Sequence, residues 1–86
     1  MNIEGGDFPR TVVLAADREP FPVVFEMLAH TVVVQPHESL RLVVSGPTTA
    51  ELTIGYGPTG VSVFRDEDLQ VQVYDHDGEL LSVPGW

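Results

Sequence analysis

Apolar and polar side chains alternate with a period of two over much of the chain. From Ser39 to Ser45, Leu40, Leu42 and Val44 point one way while Ser39, Arg41, Val43 and Ser45 point the other. Successive side chains of an extended backbone face opposite sides, so this is the signature of a strand with one buried face. Leu52, Ile54 and Tyr56 repeat the pattern against Glu51, Thr53 and Gly55, and Leu69, Val71 and Val73 repeat it against Gln70, Gln72 and Tyr74. Valine recurs along the chain beside threonine, isoleucine or phenylalanine, and β-branched side chains lose less freedom in a pleated backbone than in a helix. Further strands are predicted over residues 11–16, 31–35, 61–64 and 79–83. Residues 23–29 fit two patterns: a helix would group Val23, Met27 and His30, a strand Val23, Phe25 and Met27. The opening Val23, Val24 and Phe25 favours the strand, and Pro20 and Pro22 disfavour any earlier helical start.

Turn chemistry separates these segments. Pro36, His37 and Glu38 are short enough to join residues 31–35 to Ser39–Ser45 as a hairpin, which predicts that those two strands are antiparallel neighbours. Asp75, His76, Asp77 and Gly78 predict a closing hairpin, with Gly78 present for its backbone freedom. Residues 46–49 and 57–60 read as turns, and residues 65–68 as a polar connection. Seven or eight short strands with no long helix point to an all-β fold: a small antiparallel β-sandwich or partly open barrel, one domain over residues 1–86. Residues 1–9 are expected to form a flexible amino-terminal arm. Tyr56 is expected in the core or at its rim.

Length limits the core. Eighty-six residues bury about 60–65 per cent of the surface an unfolded chain exposes, enough for one modest core. The chain has no cysteine, so disulfides, thiolate metal ligands and cysteine nucleophiles are excluded and packing alone must hold it. The longest apolar run is about five residues, against the roughly eighteen a membrane-spanning helix requires. Met1 to Asp7 carry neither the basic start nor the apolar stretch of a signal peptide, so cytoplasmic residence is expected.

Thirteen acidic residues oppose four arginines for a formal net charge of −9. That field repels nucleic-acid phosphates and anionic membranes and favours basic partners or cations. Three chemistries are compatible with the sequence. The first is a small acidic interaction or accessory module presenting a sheet face or edge to a protein partner of basic character, with homo-oligomers through the same edges; Arg41, Tyr74 and Trp86 are its candidate contact residues, Trp86 either folding back onto the core or serving as an exposed anchor. The second is calcium or small-ligand binding. Calcium takes several oxygen ligands, and Asp75, Asp77 and Glu79, with Asp66, Glu67 or Asp68 from another loop, could supply them, although no twelve-residue calcium-loop pattern is present. The third, ranked behind both, is a small enzyme using a carboxylate or histidine pair, which needs a geometry composition cannot provide. His37 and His76 are candidate pH-sensitive groups, and His30, His37 and His76 together could form a three-histidine metal site only if the fold brought them together. Apart from calcium in the second reading, no cofactor is expected: the Gly55–Gly60 stretch lacks the strand-to-helix setting of a phosphate-binding loop, and lysine is absent.

Overall fold

Eight strands are present in the computed structural model, which describes residues 10–26, 29–58, 60–84 and 86. They are β1 (Arg10–Ala15), β2 (Phe21–Phe25), β3 (His30–Val34), β4 (Ser39–Ser45), β5 (Leu52–Gly57), β6 (Gly60–Arg65), β7 (Gln70–Tyr74) and β8 (Leu80–Leu81). They form two four-stranded sheets, ordered β1-β4-β7-β8 and β3-β2-β6-β5. Each sheet is open, and the two enclose one core as a sandwich. The expected amino-terminal arm lies outside the described residues.

The period-two pattern places the core. Leu40, Leu42 and Val44 of β4 and Val71 and Val73 of β7, with Leu69 just before it, are buried from one sheet; Val23 and Phe25 of β2 and Val61 and Val63 of β6 are buried from the other. These are the inner strands of each sheet, covered on both flanks and from the facing layer. No polar or charged residue is buried among the described residues, so the core carries no desolvated charge that needs a partner. Of the strand expected over residues 23–29, residues 23–25 lie in β2, which begins earlier, at Phe21; Glu26 and Ala29 are in turns, and residues 27 and 28 lie outside the described residues.

Two expectations about strand neighbours are corrected. Five of the six pairings are antiparallel, but β2 and β6 run parallel, with Val23 opposite Val61 and Phe25 opposite Val63. The chain leaves this sheet after the β2–β3 hairpin and returns to it as the β5–β6 hairpin; alternation specifies faces and carries no information about such distant neighbours. The second correction concerns β3 and β4, which lie in different sheets and are joined by a corner. The His37 N–H donates to the Ala16 carbonyl and the Ala16 N–H donates to the Glu38 carbonyl, both at 3.1 Å. Two of the four connections that cross between layers, β1 to β2 and β3 to β4, are thereby tied together. His37 adopts φ 66° at this corner, a conformation histidine visits more readily than most residues.

The predicted closing hairpin is present. Asp75 N–H donates to the Glu79 carbonyl at 2.9 Å and Gly78 N–H to the Asp75 carbonyl at 3.0 Å, with Gly78 at φ 86°. The strand that follows is shorter than residues 79–83. After Leu81 the chain leaves the ladder, because Val83 turns inward and is buried.

Gly60 is required for a different reason. A Cβ there would stand 2.5 Å from the Pro22 carbonyl oxygen, and its φ is +144°. Gly60→Ala is expected to cost about 1–3 kcal/mol. Phe25→Ala, which empties the centre of the core, is expected to cost about 3–5 kcal/mol, a large part of the stability of a domain this size. Val13→Ala on the outer surface should stay within about 0.5 kcal/mol of the parent. Urea unfolding midpoints of the three variants measure these differences.

Candidate functional site

Strand register assembles a surface that the sequence does not display. In the first sheet Val13 pairs with Arg41, Arg41 with Tyr74, and Tyr74 with Leu80. Directly opposed residues share a face, so these four side chains form one row across all four strands, on the side away from the core. Val13 is 56% exposed and Leu80 59%; Arg41 is exposed and Tyr74 half-buried. The Tyr74 hydroxyl donates to the Gln72 Oε1 at 3.3 Å. A planar cation and a phenol ring are thus flanked by two exposed aliphatic side chains.

The acidic hairpin turn borders this row, since it lies between Tyr74 and Leu80. Asp75 Oδ1 accepts hydrogen bonds from the Asp77 and Glu79 backbone N–H groups, both at 2.9 Å. One carboxylate therefore organises the turn, while the Asp77 and Glu79 side chains are exposed beside the row. His76 occupies the same turn and is exposed; His37 is exposed at the corner between layers.

The other acidic residues are held elsewhere. Asp66 Oδ2 accepts from the Glu51 N–H at 2.8 Å, and the Asp66 N–H donates to the Glu51 carbonyl at 3.0 Å. Asp66 and Asp68 precede β7 and Asp75, Asp77 and Glu79 follow it, so the length of the strand, roughly 17 Å for five residues, separates the two acidic groups. His30 and His37 are likewise divided by the length of β3. Among the described residues no group of three or more His, Asp or Glu side chains has a geometry that could hold a metal ion. The carboxylates of Asp66 and Asp75 act instead as acceptors that fix turns.

Trp86 folds back. Its indole N–H donates to the Glu26 carbonyl at 2.9 Å, its ring meets Phe25 edge-on at 4.9 Å, and the Arg65 guanidinium lies over it at 5.5 Å. Arg65 also donates to the carbonyls of Leu69 at 3.0 Å and Asp66 at 3.3 Å, so a single side chain joins the β6–β7 crossover to the chain end. Trp86 is half-buried against the core and does not share the outer face of Arg41 and Tyr74. The structure brings the sequence-predicted Arg41 and Tyr74 side by side and adds Val13 and Leu80, which sequence reasoning did not select because nothing local marks an exposed apolar residue as the neighbour of a residue on another strand.

A second feature is an inter-sheet crevice of about 580 Å³, with Val12, Val44, Leu52 and Ile54 among its lining and Arg10 and Glu51 beside them. It opens where β1 and β5, the end strands of their sheets, lie on the same side of the sandwich. Tyr56 is not in the core or at its rim: it is 78% exposed, because it occupies the last inner-facing position of an edge strand.

Trp86→Ala is expected to destabilise the domain by about 3 kcal/mol, the low end for aromatic truncation since the ring is only half-buried, and to be read as a lowered urea midpoint with the strand signal in circular dichroism retained. Comparison with protein-family models, with curated proteins and with solved structures finds no match for this chain.

Proposed function

We propose that the protein is a small acidic interaction module that binds a basic protein partner through the outer face of the β1-β4-β7-β8 sheet. The observation that carries this reading is the Val13–Arg41–Tyr74–Leu80 row: exposed apolar side chains with a tyrosine and an arginine at their centre, bordered by Asp77 and Glu79. Tyrosine and arginine dominate the energetics of protein interfaces, since each offers a large rigid contact area together with directional hydrogen bonding. The bordering carboxylates and the net charge of −9 steer a positively charged partner and oppose an acidic one. The centre supplies desolvation and the rim supplies selection. A rigid sheet suits this role, because little conformational freedom is lost on association.

The test is parallel affinity capture with the parent chain, Tyr74→Ala and Leu80→Asp, from cells of the source organism. Basic proteins retained by the parent and released as salt rises from about 0.05 to 0.5 M are expected to be lost from both variants, with at least a tenfold drop in affinity for Tyr74→Ala, or about 1.4 kcal/mol. Retention of the same proteins by both variants would remove this face from the function.

A further inference from the structure

We infer that β5 is a self-association edge: two copies of the chain pair their β5 strands antiparallel, in the register that sets Ile54 opposite Ile54 of the second copy. Three observations lead there. The first is which backbone groups have no partner strand among the described residues. Both the N–H and the C=O of Glu51 are directed at Asp66, beside β6. Because these groups alternate sides along a strand, those of Leu52, Ile54 and Tyr56 point away from β6. Among the described residues β5 is the last strand of its sheet, so they are aimed at its outer edge.

The second observation is that this edge carries none of the usual protection. The segment Leu52–Gly57 contains no charge and no proline, whereas exposed edges are normally defended by one or the other. β1 has Arg10 within it, and β8 is two residues long and follows Glu79. At β3 the last inner-facing residue, Val34, is buried; at β5 its counterpart Tyr56 is 78% exposed.

The third is self-complementarity. With Ile54 on the two-fold axis, Leu52 of each copy falls opposite Tyr56 of the other, and Thr53 opposite Gly55. Each exposed Tyr56 ring then covers the half-buried Leu52 across the junction. The two open crevices lined by Val12, Leu52 and Ile54 come to adjoin one another, and the two four-stranded sheets become one continuous sheet of eight. Glu51 meets Gly57, so no acidic residue is set against another. A second copy therefore fits this edge even though each copy carries a charge of −9, since the strand that makes the contact is uncharged. The remaining repulsion is long-range and is screened by salt, with a Debye length of about 10 Å at 0.1 M.

The salt response separates this contact from the proposed basic partner. Sedimentation velocity of the full chain is expected to show a dimer whose population rises between about 0.05 and 0.5 M sodium chloride as like charges are screened; binding of a basic partner weakens over the same range. Tyr56→Asp alters an exposed side chain and is expected to raise the dimer dissociation constant at least tenfold, while Leu80→Asp on the other sheet leaves it unchanged. The register is tested by cross-linking, since the chain has no cysteine of its own. An equal mixture of Thr53→Cys and Gly55→Cys chains, both at exposed positions and the second with open space for its Cβ, should form disulfide-linked dimers on mild oxidation, and each variant alone should form few. Circular dichroism matching the parent shows that each variant is folded. A parent chain that stays monomeric at millimolar concentration in both salts overturns the inference, as does a dimer indifferent to Tyr56→Asp or a mixture that links no better than its components. None of these outcomes bears on the Tyr74 face.

Discussion

The sandwich closes around Phe25. It is the bulkiest of the fully buried side chains, it sits near the end of the central strand β2, and the edge of the Trp86 indole meets it. A domain of this size has few large side chains to spend, and aromatic residues bury more area per residue than any other kind. Trp86 supplies the cover, the Glu26 carbonyl satisfies its N–H, and Arg65 lies over its ring while donating to the carbonyls of the β6–β7 connection. One aromatic contact thus joins the chain end, the exit of β2 and the crossover between layers. The opposite seam, between β1 and β5, has no such wedge among the described residues, and its inner-facing residues Val12, Leu52 and Ile54 are only half-buried.

The extent to which the fold was legible in the sequence follows from the range of each interaction. Ser39–Ser45 was read to the residue, because the alternation of leucine and valine with polar partners is a local consequence of a backbone with one face in water. The Asp75–Gly78 hairpin was legible for the same reason: a positive φ at glycine and an aspartate accepting from the backbone two and four residues on are decided within the turn. The 36–38 segment misled because a corner and a hairpin can use the same few turn residues. What distinguishes them is the reciprocal pair of hydrogen bonds to Ala16, some twenty positions away in sequence. The parallel pairing of β2 with β6 is hidden in the same way.

The candidate surface shows this division more sharply. Arg41 and Tyr74 were selectable as residue types that bind proteins well, yet their adjacency is a fact of register between strands thirty residues apart. Val13 and Leu80 acquire meaning only because the sheet order puts one strand on each side of that pair. The two acidic segments looked like one cation site for the converse reason: their composition is alike, and only the strand between them shows that they stand at opposite ends of the sheet. Composition identifies what chemistry is affordable, while long-range pairing determines which side chains can act together.

Charge placement joins the two proposed surfaces. Most of the described acidic residues lie in the turns, such as Asp66 to Asp68 and Asp75 to Glu79, and none falls within a described strand. Turns accommodate carboxylates well, since water solvates them and nearby backbone N–H groups donate hydrogen bonds to them, whereas a carboxylate on a strand would displace an apolar or β-branched neighbour from the ladder. Keeping charge out of the strands therefore protects the pairing that builds the sheets, and in doing so it leaves the terminal strand β5 without a repelling group. The same partition frames the Val13–Arg41–Tyr74–Leu80 row with carboxylates while leaving its centre free of negative charge. On the two proposed surfaces the long-range field of the acidic turns would select what approaches, and the strand surfaces, free of acidic side chains, would determine what fits at contact distance.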